Sequence, residues 1–387
     1  MKRDRVYTDS ASYMNEVIAE KRPKQKSGVV ARFLRRFFFV VFAVAIMLVS
    51  ALLLILNLVF NGPSPTARNY LTMSLIEASA TKWVPGLFLD DTVIAEIRDA
   101  EDIKLTDDVT DTSAIVINKD ALISGENDEW ADYPDGIRIE PIQGDTYKAN
   151  VMLIRDPSQV YLGISAKDGY STAKPGKRLN VAIEEEGAIA AVNAGAFNDD
   201  GTGGSYVGSL PEGLVYSEGS CVWKTGAPPN NIKGFAGFNE DNILVVHTEN
   251  IKQEQAEELN IRDGCCFGPV LIMNGEVNME AYSVSGLNPR TAIGQRADGT
   301  VIFVCIDGRQ AGSTGGSYAD LIDIMQEYGA VNACNMDGGS STVMMYRDEY
   351  GRYGDAGQVQ IINSYSLLQK EPRRMPNYWM VRPAGEE

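Results

Sequence analysis

Residues 300–337, TVIFVCIDGRQAGSTGGSYADLIDIMQEYGAVNACNMD, hold two apolar runs on either side of one amphipathic helical pattern. Ser317 and Asp320 form the S-x-x-D signal of a helix start, and a glycine at the far end is a typical stop signal. A strand, a helix and a second strand in this order predict a βαβ unit with parallel strands. The first strand ends at Asp307 and the second at Asp337. We therefore expect both carboxylates at the same edge of a sheet, where open sheets bind ligands.

The chain from Tyr147 onward is rich in short strand-like runs separated by turn residues. These runs are YKANVMLI, AIAAVNA, GFAGF, NILVVH, TAIG, TVIFVCID, AVNACNMD, STVMMY and YWMVRP. Few long helical patterns lie between them, which predicts an α+β fold with mixed β-sheets, a βαβ element and few helices. We place this domain at residues 147–387, after a helical stem and linker at residues 61–146.

The N-terminal region carries a membrane signal. Residues 37–60, FFFVVFAVAIMLVSALLLILNLVF, contain no charge. A helix of this length spans about 36 Å, enough for a hydrocarbon core of about 30 Å. The run is longer than the apolar region of about 7–15 residues in a cleaved signal peptide, and no A-x-A site follows it directly. We therefore expect a single transmembrane helix rather than a cleaved leader.

Charge is distributed unevenly along the chain. The predicted cytoplasmic tail, residues 1–36, has ten Lys and Arg against four Asp and Glu, a net charge of +6; because the whole chain carries −17, the remainder carries −23. By the positive-inside rule, the N-terminus lies in the cytoplasm and the chain from about residue 61 lies outside. This predicts a single-pass cell-membrane protein with an extracytoplasmic domain. A domain so acidic repels nucleic acid, so no nucleic-acid partner is expected.

Four segments combine acids, arginines, amides and glycines. They are NAGAF at 193–197 with a glycine-rich loop at 200–205, NPRTAIG at 288–294, DGR at 307–309, and NMDGGSST at 335–342. Backbone N–H groups and hydroxyls of the last segment predict an anion-binding turn formed by Gly338, Gly339, Ser340 and Ser341. Arg290 and Arg309 are candidates to clamp a phosphodiester. Asp307 and Asp337 are candidates for the carboxyl groups that glycoside cleavage needs.

Other catalytic classes lack their residues. His247 is the only histidine, which argues against Ser–His and Cys–His nucleophiles. The sequence has no zinc-protease, P-loop or dinucleotide-binding fingerprint. Its five cysteines show no C-x-x-C spacing, so neither a disulfide framework nor a zinc site is expected.

In these segments the chain resembles the phosphodiester glycosidase family. The resemblance covers about residues 147–385, and its most specific part is the ordered set NPRTAIG, DGR, a glycine-rich helix entry and N-x-DGGSST. It implies hydrolysis of a glycosyl-1-phosphate diester with release of the sugar. It also implies a site composed of Asn193, Arg290, Thr291, Asp307, Arg309, Asn335, Asp337, Gly338, Gly339 and Ser340. The first motif departs from the family pattern, because alanines flank Gly195 where members often carry more glycine, and this substitution would narrow the pocket.

The resulting hypothesis is a hydrolase that acts on GlcNAc-1-phosphodiester-like linkages of cell-surface glycopolymers. Two alternatives stay open: a non-catalytic protein that binds glycan phosphate in exopolysaccharide assembly, and a phosphodiesterase that cleaves the other P–O bond. Which of Asp307 and Asp337 acts as acid is open, and so are retention and inversion. No cofactor is expected; a divalent cation that bridges phosphate and carboxylates is compatible with these residues, although no ligand set requires one.

Overall fold

The computed structural model describes residues 27–76, 81–99, 109–117, 129–198, 207–225, 233–283, 286–310, 312–364 and 371–385. The chain divides into two compact units, the first ending at Gly62 and the second beginning at Pro63. The predicted cytoplasmic tail is described only from residue 27, and the glycine-rich loop at 200–205 lies outside the described residues.

The first unit is one long helix, α1 (Ser27–Phe60). Its segment Ala31–Phe60 contains neither Gly nor Pro and is long and apolar enough to cross a membrane. The helix therefore contains the predicted span 37–60 and begins before it. It ends at Phe60; two residues later, at Gly62, a Cβ would lie 2.1 Å from the carbonyl oxygen of Leu58. Signal sequences near an N-terminus share this length and composition.

Six helices belong to the second unit within the described ranges: α2 (Pro65–Ile76), α3 (Asp91–Asp99), α4 (Leu179–Glu186), α5 (Gln253–Glu258), α6 (Met279–Ser283) and α7 (Tyr318–Glu327). The described strands are β1 (Ile137–Gln143), β2 (Lys148–Ile154), β3 (Val160–Ile164), β4 (Lys177–Arg178), β5 (Ala190–Asn193), β6 (Phe197–Asn198), β7 (Leu210–Pro211), β8 (Leu214–Ser217), β9 (Ser220–Lys224), β10 (Phe235–Asn239), β11 (Leu244–His247), β12 (Ile261–Cys266), β13 (Val270–Met273), β14 (Glu276–Val277), β15 (Arg290–Arg296), β16 (Val301–Ile306), β17 (Ala330–Met336), β18 (Met344–Arg347), β19 (Val359–Ile361), β20 (Arg374–Met375) and β21 (Asn377–Val381). Each of the nine strand-like runs quoted from the sequence overlaps one of these strands.

The strands form one seven-stranded and two five-stranded sheets, with two short strand pairs beside them. The seven-stranded sheet has the order β1-β2-β16-β15-β17-β13-β14, and the others have the orders β11-β10-β12-β8-β9 and β19-β18-β5-β21-β3. The short pairs are β4 with β20 and β6 with β7. This is the α+β class expected from the sequence, with few and mostly short helices between many strands.

The predicted strand–helix–strand unit consists of β16, α7 and β17. The hydroxyl of Ser317 accepts from the N–H of Asp320, and the Asp320 carboxylate accepts from the N–H of Ser317, the reciprocal cap that the sequence predicts. Both strands pair antiparallel with β15, which lies between them. They therefore run parallel to each other without pairing directly. Asp307 and Asp337 follow them at the same edge of the sheet, as expected.

The seven-stranded sheet is buried on both faces. On one face, Phe303 shares a cluster with Trp379 and Phe238, which come from the two five-stranded sheets. On the other face, Val304 packs with Met325 of α7. Burial on both faces explains why β16, with the sequence VIFVCI, is apolar at every position and fully buried.

The segment 61–146, predicted as a stem and linker, is partly built into the domain. β1 is the edge strand of the seven-stranded sheet and pairs with β2 along its length. The sequence pattern missed β1 because Pro141 interrupts it; an edge strand tolerates proline because half of its N–H groups have no strand partner. Further upstream, Ser74 of α2 packs against Gly286, where a Cβ would lie 2.2 Å from the Ser74 hydroxyl. Residues before 147 therefore take part in the packing of the second unit.

Candidate active site

The segment Asn288-Pro289-Arg290 leads into β15 and joins two of the other motifs. Nη2 of Arg309 donates a hydrogen bond of 2.7 Å to Oδ1 of Asn288. The backbone N–H of Gly339 donates to the carbonyl oxygen of Pro289 at 2.9 Å. The second, third and fourth motifs therefore meet at the sheet edge that β15, β16 and β17 share.

Two glycines allow this close approach. A Cβ at Gly308 would lie 2.7 Å from Cγ of Pro289, and a Cβ at Gly338 would lie 2.7 Å from the Pro289 carbonyl oxygen. A side chain at either position would push the segments apart, so glycine is required here for close packing. Gly338, predicted as an anion ligand, thus also sets the distance between two motifs.

Asn193 ties the first motif to this edge. Its Nδ2 donates to the backbone carbonyl of Asp337. Its Oδ1 accepts from Oγ1 of Thr291 at 2.7 Å and from the N–H of Val343 at 3.1 Å. Asn193 and Thr291 are fully buried. The structure therefore places both below the surface of the site, where Asn193 bonds to the Asp337 backbone and Thr291 bonds to Asn193.

The carboxyl group of Asp307 is buried at the end of β16, with 2% of the residue exposed. Oδ1 accepts from the N–H of Ser364 at 3.0 Å. Burial raises the pKa of this carboxyl above the ordinary value for aspartate, while hydrogen bonds from Ser364 and Asn363 and the charge of Lys148 act in the opposite direction. Asp307 thus holds its proton at a higher pH than a solvated aspartate.

Asp337 lies in a more open environment than Asp307. It is half-buried directly after β17. Its N–H donates to the carbonyl of Ala194 at 3.0 Å, and its Oδ1 accepts from the N–H of Gly338 at 2.9 Å. These bonds fix the backbone and orient the carboxylate. The two aspartates share one sheet edge in different surroundings.

The two arginines predicted to clamp a phosphodiester lie in different surroundings. The guanidinium of Arg290 is buried, stacks on the Tyr318 ring at 4.1 Å, and donates to the carbonyls of Gly286 at 2.9 Å and Gly316 at 3.2 Å. Arg309 is exposed, and its φ of 60° puts a non-glycine residue in the left-handed region. Strain of this kind costs about 1–3 kcal/mol and clusters at functional sites. Arg290 therefore braces the loops around the site, whereas Arg309 lies at its surface.

The predicted anion-binding turn uses some of its own donors. Gly338 leads into a 3-10 turn at Gly339–Ser341. The N–H of Gly338 is bonded to Asp337 and that of Gly339 to the NPR segment, so two N–H groups expected to hold an anion are already engaged. Ser340 is exposed, whereas the serine after it is buried. Ser340 is thus the part of this turn that lies at the surface.

Asn335 lies on β17 and is buried. Its Nδ2 donates to the carbonyl of Gly268 at 2.8 Å, and its backbone N–H donates to the carbonyl of Pro269 at 2.9 Å. Its Oδ1 is buried and accepts no hydrogen bond from the described part of the chain. The structure therefore places Asn335 beneath the site, where it holds the loop at residues 268–269.

Several residues that contact the site were not predicted from the sequence. They are Asn288, Tyr318, Asn363, Ser364 and Arg373. Asn288 is the first residue of the NPRTAIG motif, so the motif could have identified it as a site residue. The other four lie outside the motifs, and only the folded chain brings them to the sheet edge.

Two further features concern residues that could bind a metal ion and the cysteine thiols. Among the residues that the structure describes, no group of three or more His, Cys, Asp or Glu could hold a metal ion. Cys265, Cys266, Cys305 and Cys334 are buried free thiols. Burial raises the pKa of each of these thiols, that of Cys266 to about 11, so they are protonated core residues rather than nucleophiles.

Comparison with known proteins covers the same segments. The phosphodiester glycosidase family model matches residues 186–382, just over half of the 387-residue chain and a range that includes every predicted site residue. The SPbeta prophage-derived uncharacterized protein YomE of Bacillus subtilis (strain 168) is 24% identical over 200 residues. The match covers 50% of this chain and 28% of that protein, so the chain spans less than a third of this relative's length.

Two solved structures are similar at low identity. The zebrafish N-acetylglucosamine-1-phosphodiester alpha-N-acetylglucosaminidase catalytic domain, auto-inhibited by its pro-peptide, is 18% identical with a TM-score of 0.49, over 65% of this chain and 85% of that chain. A hypothetical protein from Synechocystis is 17% identical with a TM-score of 0.42, over 64% of this chain and 61% of that chain. Because the family model matches just over half of the chain, this chain belongs to the phosphodiester glycosidase family.

Proposed function

We propose that this protein hydrolyses glycosyl-1-phosphodiesters, with GlcNAc-1-phosphodiester-like linkages of cell-surface glycopolymers as its substrate class. One observation supports this proposal most strongly. Three motifs contact one another around Pro289, at the sheet edge where Asp307, Asp337 and Arg309 lie. Membership in the phosphodiester glycosidase family supports the same reaction class.

The reaction breaks the bond between C1 of the sugar and the phosphate oxygen. Water gives a hydroxyl to C1, and the products are the free sugar and a phosphomonoester. We assign Asp307 as the proton donor to the leaving oxygen, because burial raises its pKa and keeps the carboxyl protonated at higher pH. Asp337 then accepts the proton of the attacking water.

The strand order supports a water between the two acids. Because β15 separates β16 from β17, the backbones of Asp307 and Asp337 are two strand spacings apart, about 10 Å. A backbone separation of this size leaves room for a water between the two carboxyl groups, so we propose direct attack by water with inversion at C1.

We assign Arg309 as one ligand of the phosphate. Its side chain is exposed at the sheet edge, and its bond to Asn288 fixes one end of the guanidinium. A planar guanidinium forms paired, charge-assisted hydrogen bonds to phosphate oxygens. The left-handed backbone at Arg309 is strained, which fits a position held for function.

The cellular context follows from the N-terminal helix. α1 is long and apolar enough to span a membrane, and the +6 segment, residues 1–36, precedes its uncharged part at residues 37–60. We infer a cytoplasmic N-terminus and an extracytoplasmic domain. In this orientation the site would meet phosphodiester-linked glycans outside the cell, and the acidic domain would not bind nucleic acid.

The test incubates the full-length protein, purified in detergent, with GlcNAc-1-phosphodiesters in water labelled with heavy oxygen. The label is expected in the released sugar and not in the phosphomonoester, because the C1–O bond breaks. Asp337→Asn is expected to lower turnover by at least about 100-fold. Asp355→Asn, at an exposed aspartate, serves as the control and is expected to retain activity.

Other results would replace the proposal. Label in a phosphate product would identify a phosphodiesterase that cleaves the P–O bond. Saturable binding of the diester with unchanged ligand recovered afterwards would identify a glycan-phosphate binding protein. An Asp337→Asn variant with wild-type turnover would remove Asp337 from the mechanism.

A further inference from the structure

Arg373, which belongs to none of the sequence motifs, lies against the turn that follows Asp337. Its Nη1 donates to Oγ of Ser340 at 3.1 Å and to Oγ of Ser341 at 3.5 Å. We propose that Arg373 and Ser340 together bind the phosphate of the substrate and make the site select anionic sugar-1-phosphates over neutral glycosides. This inference relies on the proposed function for the choice of ligand.

The position of Arg373 is held from two sides. Its guanidinium lies over the ring of Phe197 at 4.7 Å, a cation–π contact that orients the plane of the group. Phe197 ends the first motif and Ser340 belongs to the fourth, so the side chain of Arg373 bridges two segments that the sequence singled out separately. Its backbone precedes β20, which pairs with β4.

The chemistry of the pair suits a phosphate oxygen. A serine hydroxyl that accepts a hydrogen bond from arginine can still donate its own hydrogen, and a guanidinium carries five N–H donors in a rigid fork. Ser340 is exposed and Arg373 is half-buried, so the pair lies at the surface of the turn. Phosphate accepts such bonds strongly because it is charged. A neutral aglycone lacks this charge, so it would bind the pair more weakly than a phosphate does.

The neighbouring Arg374 provides a matched control. It is exposed, and its Nη1 donates to the backbone carbonyl of Gly176 at 3.0 Å. Arg373 and Arg374 carry the same charge one residue apart, but Arg374 bonds to Gly176 whereas Arg373 bonds to the serines of the turn. A change at Arg374 alters the net charge equally without touching the turn at Ser340.

The experiment titrates the full-length protein in detergent with three probes: inorganic phosphate, GlcNAc-1-phosphate and GlcNAc. Arg373→Gln is expected to weaken binding of GlcNAc-1-phosphate by about 10- to 100-fold, as the loss of hydrogen bonds to a charged group predicts. Binding of GlcNAc should be unchanged, and Arg374→Gln should match the wild type for all three probes. Arg373→Lys, which keeps the charge, should recover part of the affinity. In diester hydrolysis, KM should rise in Arg373→Gln more than kcat falls.

The outcomes separate this inference from the proposed function. Wild-type affinity of Arg373→Gln for GlcNAc-1-phosphate would overturn the inference, even if the protein hydrolyses diesters. Equal losses for GlcNAc and GlcNAc-1-phosphate, with a lowered melting temperature, would reduce Arg373 to a structural tie and also overturn it. A wild-type protein that binds phosphate through Arg373 but hydrolyses no diester would leave this inference standing and overturn the proposed hydrolase.

Discussion

The side-chain amide of Asn193 connects the first, second and fourth motifs through one buried group. It bonds to the Asp337 carbonyl, to the Thr291 hydroxyl and to the N–H of Val343. When such a group is removed, the buried partners that remain are unpaired, at a cost of about 1–3 kcal/mol each. Asn193 therefore couples the stability of the fold to the placement of a proposed catalytic acid.

We expect Asn193→Ala to lower the free energy of unfolding by about 2–4 kcal/mol and to remove most turnover. Thr291→Val removes only one of the bonds to the same amide oxygen and should cost about 1 kcal/mol. Thermal unfolding of the full-length variants, followed by tryptophan fluorescence, measures both effects. Equal melting temperatures for Asn193→Ala and the wild type would show that the amide is not a structural link.

Asp307 gives the protein a pH dependence of defined sign. Because burial raises its pKa in the folded chain above the unfolded value, its contribution to stability is fully present below the unfolded pKa and is lost as pH rises through the folded pKa. Asp307→Asn should therefore match the wild type at acidic pH and exceed its melting temperature at alkaline pH, while losing activity. Melting curves across about pH 3–8 test this, in a range that begins below the usual aspartate pKa of about 3.9. A variant that becomes less stable than the wild type with rising pH would show that the ionised carboxylate is the stabilising form.

The residues themselves show where sequence reasoning was sufficient. Asp307 and Asp337 could be placed at one edge because each directly follows an apolar run, and a helix between the two strands predicts that they run parallel. The burial of Arg290 could not be predicted, because it depends on the Tyr318 ring at the start of α7 and on carbonyls from two loops. The sequence alone does not show whether an arginine in a motif contacts a ligand or holds a loop in place.

At the scale of elements, the spacing between the DGGSS turn and the NPR segment depends on one glycine. A Cβ at Gly338 would lie 2.7 Å from the Pro289 carbonyl oxygen, which is backbone and cannot rotate away. Gly339 has a φ of 62° but open space around its Cβ position. A substitution at Gly338 therefore tests the steric contact, whereas a substitution at Gly339 tests the backbone strain.

We expect Gly338→Ala to reduce kcat/KM strongly, because the turn must move away from the NPR segment. Gly339→Ala should cost about 1 kcal/mol of stability from the left-handed backbone while keeping the turn in place. Diester hydrolysis and melting temperature, measured on both variants, separate the two effects. If Gly339→Ala lost more activity than Gly338→Ala, the conformation of the turn rather than its distance from Pro289 would be the requirement.

The strand order illustrates what local patterns leave undetermined. The nine quoted runs and the capped helix α7 were all visible in the sequence, because alternation, apolar content and capping are local signals. The insertion of β15 between β16 and β17 was not, because any of several strands could fill that place by long-range pairing. β1 was missed for a different reason: Pro141 disguises an edge strand.

At the scale of the whole molecule, the sequence predicted a body separated from the membrane helix by a stem. In the structure, α2 and β1 belong to the second unit and contact its other segments. Polar, turn-rich composition suggested a linker because the contacts that order it come from Gly286 and from β2. The composition of a segment shows how much apolar surface it can bury by itself. It does not show which contacts other segments of the chain will make with it.

The charge asymmetry of the whole chain leads to a prediction about topology. With Cys221→Ser as the background, the remaining cysteines are buried and should not react with a membrane-impermeant maleimide. Glu258→Cys, at an exposed position of α5, should be labelled in intact cells, whereas Lys2→Cys in the basic tail should be labelled only after lysis. A tail removed from the mature protein would instead identify α1 as a signal sequence, and labelling of Lys2→Cys but not Glu258→Cys in intact cells would reverse the orientation. The first result would release the enzyme from the membrane, and the second would place the site in the cytoplasm, away from the proposed cell-surface substrate.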